Sequence, residues 1–376
     1  SEWYKRQHIY IGYNRELRRT DKEGSNDEFV RNFNIDIKQL STVNNLLLVL
    51  ETNKNLSTLN STDLSLISSS SSSINNPLIS SNKNSSYYFN NGPRIYKVLA
   101  ADPTENISNY ANNYPSADKI FANPSESKIY TNAGIAHSAV DLKYSNSLAG
   151  AFDNITFVND QPIVLRNKTL FMYDENSIDL GQYTLDHTPD ILAATNDYIF
   201  SFVTSESSVS THKTARSDIQ LPTAGTATDP TGLNYQPEFI TTDYNNNIYL
   251  ADIETLSIFN WQLDTQDYGP SLALLNTPDW MTLSEQHNRL YLGYSSGKIT
   301  YFDLSLGKDA KEVHFTTLVK AVKGLLATGE FLFAVDASGI RSRHYSLDQS
   351  GAIMNTVEWR YSSTEYIWNQ YNDHLY

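Results

Sequence analysis

The sequence contains no cysteine and only three methionines. The first absence removes disulfides, thiol nucleophiles and cysteine metal sites together. In a chain of 376 residues it also suits an exported bacterial protein, where stray thiols risk mispairing. No run of about 18 apolar residues occurs, so no membrane-spanning helix is expected. The sequence opens on Ser1, without an initiating Met or a signal peptide. It therefore reads as a mature or trimmed chain, from which an export signal or lipid anchor could have been removed.

Charge is also scarce. Only 19% of residues are charged, and the imbalance is acidic, with a formal net charge of −14. Such a field repels phosphate backbones and anionic lipid, so neither nucleic acid nor a membrane surface is an expected partner. The one basic cluster, Arg15, Arg18 and Arg19, is followed by Asp21, Glu23, Asp27 and Glu28, which makes a mixed surface.

What is abundant is Ser, Thr, Asn and aromatic residues. The polar three favour strands, turns and loops over helix interiors. The 25 Tyr, 15 Phe and 5 Trp supply enough apolar area for a sizeable core.

A repeat organises the last third. Phe239–Tyr249, Trp280–Tyr291 and Tyr366–Tyr376 each read as a short apolar strand, a polar Asn/Asp turn and a second strand entered by an aliphatic–aromatic pair. Leu325–Phe333 is a shortened copy. The closing aromatics at 249, 291, 333 and 376 recur every 42 or 43 residues. A third strand ending in Leu or Asp follows the anchors at 249, 291 and 333 (256–264, 298–304, 340–348), and a fourth follows the first two of these (271–275, 313–318). Four antiparallel strands per 42 residues is the period of a propeller blade. Weaker anchors fall at Phe200, Leu165, Tyr130, Leu47 and Tyr10.

The expected fold is therefore all-β, a single β-propeller of four-stranded antiparallel blades spanning residues 1–376. Eight blades are the first reading and seven the second. Residues 366–370 are expected to close the ring by pairing with 8–13. The gap between the anchors at 47 and 130 holds a Ser/Asn-rich stretch at about 57–91. It is read as an insertion, with an extra blade near Arg94–Ala100 as the alternative, because a run of serines buries too little apolar area to offset its ordering entropy. Residues 218–237 are expected to form a long loop.

Residues 239–376, with their aliphatic–aromatic strands, Gly/Ser/Asn turns and Leu-Asp strand ends, resemble bacterial extracytoplasmic propellers of the pyrroloquinoline-quinone-like and YncE-like groups. The resemblance implies a propeller fold and a periplasmic or cell-surface location. It carries no activity, because the quinone enzymes' Trp-docking motifs and metal ligands have no counterpart here. The tryptophan–aspartate and kelch repeat signatures are absent.

Local motifs are read as turns. Gly293-Tyr-Ser-Ser-Gly297 matches the nucleophile-elbow pattern with Ser295 as nucleophile, yet it lies between two strands, where a hairpin turn is expected. Asp243, Asn245 and Asn247 open a calcium-loop spacing with Glu254 twelfth, but Ile248 stands where the loop needs Gly. Asp174-Glu-Asn176 is another inter-strand turn. Histidines at 8, 137, 187, 212, 287, 314, 344 and 374 form no local ligand pair, so a zinc site would have to assemble across blades. Six Asn-x-Ser/Thr triplets, at Asn55, Asn60, Asn84, Asn106, Asn154 and Asn167, match chance expectation in so Asn- and Ser-rich a chain.

No catalytic, cofactor-binding or metal-binding residue is therefore singled out. The expected function is a non-catalytic binding or scaffold propeller, exported, monomeric, with a protein or glycan ligand. The alternatives are a polysaccharide-active enzyme with its site in a central funnel and an intracellular eukaryotic scaffold.

Overall fold

A computed structural model describes residues 8–21, 24–71, 74, 78–102, 106–108, 114–205, 207–227, 237–243, 245–338, 341–359, 368–369 and 374–375. The protein is all-β, and among these residues helix is confined to two short 3-10 segments, Arg216–Asp218 and Leu304–Asp309. The described strands form nine antiparallel meanders, called here sheets A to I, at residues 9–32, 37–71, 79–108, 120–147, 154–184, 191–215, 239–273, 280–317 and 322–359, besides one two-stranded pairing near the end of the chain. Sheets A and F have three strands. In sheet G two short strands, Asp267–Tyr268 and Leu272–Ala273, share the outer edge of Ser257–Gln262. The other six sheets have four strands in sequence order, as propeller blades do.

Why the strands turn where they do is visible in the Asn and Asp residues. Asn14, Asn44, Asn159, Asn167, Asn246 and Asn288 all sit at positive φ, which Asn tolerates better than other side chains with a Cβ. Several hairpins are closed by a carboxylate or amide that accepts the backbone N–H four residues on. Asn123 takes Ser127, Asp174 takes Ile178, Asp243 takes Asn247 and Asp348 takes Ala352, at 2.7–3.0 Å. The high Asn and Asp content is thus consumed in making turns.

The protein forms two compact units, Ser1–Ser145 and Asn146–Tyr376. Inside each, successive sheets stack face to face. In the first unit Leu47 and Val49 pack toward Leu17 of sheet A, while Leu48 and Leu50 of the same strand pack toward Tyr87 and Phe89 of sheet C. Tyr88 then faces Ile120 and Ile129 of sheet D. In the second unit, Ile163, Leu165 and Met172 of sheet E meet Leu192 and Ile199 of sheet F. Tyr249 and Ala251 of sheet G meet Leu290, Leu292 and Phe302 of sheet H. A strand buried on both faces reads as an unbroken apolar run, which is why Leu46–Leu50 is five apolar residues in a row.

First strands stand side by side as the stack proceeds. Ile9–Tyr13, Ile37–Val43, Ile79–Ser81 and Ile120–Ala122 do so in turn in the first unit. In the second, Asn154–Val158 neighbours Ile191–Ala194, and Phe239–Thr242, Trp280–Ser284 and Val322–Ala327 follow one another. This is the relation between the inner strands of propeller blades.

Two expectations are corrected. The Ser/Asn-rich stretch at 57–91 is not an insertion: strands Asn55–Asn60 and Leu66–Ser71 complete sheet B, and Ile79–Ser81 and Ser86–Asn91 begin sheet C. The serines form the outer strand of sheet B, where Ser57 Oγ meets Ser69 Oγ at 3.1 Å. An outer strand needs ladder hydrogen bonds rather than apolar side chains, and its ordering is offset by its pairing with Asn55–Asn60, which pairs in turn with the apolar strand Leu46–Glu51. The eight anchors from Tyr10 to Phe333 account for eight of the nine sheets, and sheet C is the ninth. Secondly, Ile9–Tyr13 was expected to be a second strand, but it stands beside Ile37–Val43 as a first strand does. The expected closing strand 366–370 lies outside the described residues except for Trp368–Asn369, which pair with His374–Leu375. Within the expected 218–237 loop, Gln220 bridges Gln182, and 228–236 lie outside the described residues.

Candidate functional site

Each motif noted in the sequence has a definite place. Ser295 lies in the four-residue turn Tyr294–Gly297 between strands Arg289–Gly293 and Lys298–Asp303, closed by Gly297 N–H donating to Tyr294 O at 2.9 Å. This is a hairpin, with no helix following. Gly297 is required by its backbone: φ is +85°, and a Cβ there would lie 2.7 Å from Leu318 O and 2.8 Å from Lys320 O. Gly297→Ala is expected to cost about 2–4 kcal/mol, combining left-handed strain with that clash, whereas Ser295→Ala is expected to be silent. Urea denaturation of the two variants checks this.

Asp243 accepts hydrogen bonds from the N–H groups of Asn245 and Asn247. Glu254 sits in a separate turn at the far end of strand Asn247–Asp252, its N–H donating to Asp252. Seven residues of extended chain place it about 20 Å away, too far to share an ion with Asp243. Asp174 likewise closes its own turn, accepting from Asn176 and Ile178. The basic cluster is neutralised within sheet A and its flanks: Arg18 pairs with Asp27, Arg19 with Glu28 and Arg15 with Asp36. Arg19 and Glu28 border an open recess of about 400 Å³, also lined by Phe29, Arg31, Thr62 and Asp63.

Most polar chemistry in the second unit is enclosed. On sheet I, Asp336 accepts from Tyr345 Oη at 2.8 Å, Arg343 donates to Tyr345 Oη at 3.3 Å, and Arg343 donates to Glu358 at 3.0 Å. Asp336 and Arg343 are each 2% exposed, and burial raises the Asp336 carboxyl above its usual range. Between sheets E and H, the Lys298 ammonium pairs with the Asp179 carboxylate. The Asp179 N–H donates to His314 Nδ1 at 3.2 Å, and His314 Nε2 lies 2.9 Å from Thr317 Oγ1. Burial, helped by the neighbouring Lys298 charge, pushes His314 down to about 4. Glu312 accepts from Tyr294 Oη, Thr300 Oγ1 and Leu275 N–H at 2.6–2.9 Å.

One cluster reaches solvent. Asp186 and His187 lie in the connection between sheets E and F, and His212 lies on the third strand of sheet F, Val209–Ala215. Register sets His212 directly across from Ser201 on Tyr198–Thr204. His187 is drawn over this pair: its ring stacks on His212 with centroids 3.8 Å apart and planes 23° apart. His187 Nε2 is 2.7 Å from Ser201 Oγ, and Nδ1 is 2.6 Å from Asp186 Oδ1. The His187 bond holds the Asp186 carboxyl below the ordinary carboxylate range. Donor atoms of Asp186, His187 and His212 lie within 4.8 Å of one another, the one such set among the described residues.

The chain of contacts Ser201–His187–Asp186 has the order of a hydrolase triad, but Ser201 is 1% exposed in the middle of a strand. A nucleophile needs an approach for the carbonyl carbon and donors for the oxyanion. Ser201 instead braces His187.

Of the other histidines, His137 Nδ1 meets Leu142 O, His287 Nε2 meets Gly329 O and His344 Nε2 meets Ser342 Oγ. The sequence named His187 and His212 without linking them. What links them is the 201–212 register and the path of the 185–190 connection, neither of which spacing reveals.

No protein-family model and no curated protein matches the chain. No helix among the described residues is long and apolar enough to cross a membrane.

Proposed function

We propose that the chain is an exported, non-catalytic propeller acting as a binding or scaffold module, with a protein or glycan ligand. One observation carries this reading: groups suited to nucleophilic or acid–base work are spent on the sheets themselves. Ser201 orients a ring, Asp336 and Arg343 bridge strands, Glu312 accepts three hydrogen bonds, and His314 joins two sheets. The recess beside Arg19 and Phe29, bordered by the Thr62–Leu64 turn, is an open surface of mixed charge suited to contact rather than chemistry. Location outside the cytoplasm is supported by the absence of cysteine and the likeness of residues 239–376 to extracytoplasmic propellers.

The contact order Ser201–His187–Asp186 leaves one second reading to test, a hydrolase, against which the burial of Ser201 argues. Assays against nitrophenyl esters and a polysaccharide panel separate the two. The expected result is no turnover above buffer, with saturable binding on a glycan or peptide array. Turnover that disappears in Ser201→Ala contradicts the binding-module reading.

A further inference from the structure

We propose that Asp186, His187 and His212 form a binding site for a divalent transition-metal ion, zinc first among them. The site is independent of the binding-module reading, since it requires only these side chains.

Two imidazoles and a carboxylate are the donor set that zinc and its neighbours in the first transition row prefer. Their donor atoms already lie within 4.8 Å of one another. Four-coordinate zinc with bonds near 2.0–2.2 Å sets its ligand atoms about 3.3–3.5 Å apart. A movement of roughly an ångström, together with a turn of the stacked rings that makes their nitrogens converge, brings the three donors to that spacing. The Asp186 side chain is 92% exposed and free to make that adjustment.

The second observation concerns orientation. A metal-bound histidine needs its other ring nitrogen held by a hydrogen-bond partner, which fixes the tautomer. His187 has that partner in the buried Ser201, whose Oγ lies 2.7 Å from Nε2. In the metal-free geometry Nδ1–H donates to the Asp186 carboxylate, 2.6 Å away; metal binding takes the other tautomer, in which Nε2–H donates to Ser201 and the Nδ1 lone pair faces the ion in place of that proton. His187 is itself only 16% exposed, so the ring is pre-set rather than loose. His212 adds the third donor from the strand facing Ser201, and its stacking on His187 keeps both rings at the same edge of sheet F. Three protein ligands leave one position for water, as in zinc sites that stay open to a further ligand.

The test uses the untagged chain of residues 1–376, stripped with a chelator and dialysed. Calorimetric titration with Zn²⁺ is expected to show one ion per chain. Titration with Co²⁺ is expected to give the visible absorption of a four-coordinate ion. His212→Ala, a surface change, is expected to weaken Zn²⁺ binding about 100-fold or more, and Asp186→Asn about 10-fold or more, from loss of a ligand. Ser201→Ala removes no ligand, yet is expected to weaken binding about 10–100-fold through the lost brace. His287→Ala is the control and is expected to change nothing. Circular dichroism and melting of each variant show that the fold is retained. Absence of one-to-one binding below about 1 mM Zn²⁺ overturns the site, being weaker than three preset ligands imply. So does equal binding by His212→Ala and the unaltered chain.

Discussion

Tyr88→Ala is expected to destabilise the folded chain by about 3–5 kcal/mol, the cost of deleting a large, fully enclosed ring. Tyr88 is fully buried, and its hydroxyl donates to Ala139 O at 2.6 Å, tying the second strand of sheet C to sheet D. Burial pushes the phenol up to about 12, so it remains a neutral donor throughout the ordinary pH range. Ala at this position opens a cavity beside Ile95, Ile120 and Ile129 and leaves the Ala139 carbonyl without that donor. Urea denaturation followed by tryptophan fluorescence reads the effect as a lowered midpoint. The result also bears on the Ser/Asn-rich stretch, since a loosely tethered insertion at 57–91 would tolerate Tyr88→Ala with no change.

The second large effect is expected at the contact between sheets E and H. Asp179→Ala should cost about 2–3 kcal/mol, because it strips a partly buried ammonium of its counter-ion. The loss is smaller than for a fully enclosed pair, since Lys298 is 30% exposed. His314 adds a dependence on pH whose sign follows from its depressed value. Folded, the ring is held down to about 4, by burial first and by Lys298 second; unfolded, it titrates near 6.5. Below 6.5 the unfolded chain therefore binds the proton first, and stability is lost as pH falls from about 6.5 to about 4. At most this amounts to about 3 kcal/mol. His314→Gln removes the titration, so the gap in stability between variant and parent should shrink across that window and be largest above it. A gap that stays constant from pH 7 to pH 4 contradicts the assignment.

How legible the fold was depended on which strand carried the pattern. Second strands, buried on both faces, announce themselves: Leu46–Glu51, Asn247–Asp252 and Arg289–Gly293 each contain an apolar run next to an Asn-rich turn. The four-strand period of the last third is found in sheets H and I, and in sheet G with two short strands, Asp267–Tyr268 and Leu272–Ala273, in place of one fourth strand. Outer strands carry no such signal, because one edge faces water and their side chains are free to be Ser or Thr. Leu66–Ser71 is the clearest case. Composition argued for disorder there, while the ladder to Asn55–Asn60 supplies the backbone partners that a count of serines ignores.

The candidate site was less legible than the fold. Ser295, Asp243 and Asp174 occupy the turns that their neighbours implied. The cluster of possible metal donors joins residues 186 and 187 to 212 through a strand pairing that no spacing rule contains. His187 and His212 are 25 positions apart, and either is unremarkable alone.

The central claim is that each unit is built of face-stacked sheets whose second strands carry the burial. Native-state hydrogen exchange along the chain tests it most directly. The account predicts maxima of protection at Leu46–Glu51, Ser86–Asn91, Lys128–Thr131, Gln161–Arg166, Asn247–Asp252 and Arg289–Gly293, with first and fourth strands exchanging sooner. Rapid exchange at Ser86–Asn91, at the rate of free peptide, or protection without the recurring maxima, contradicts it.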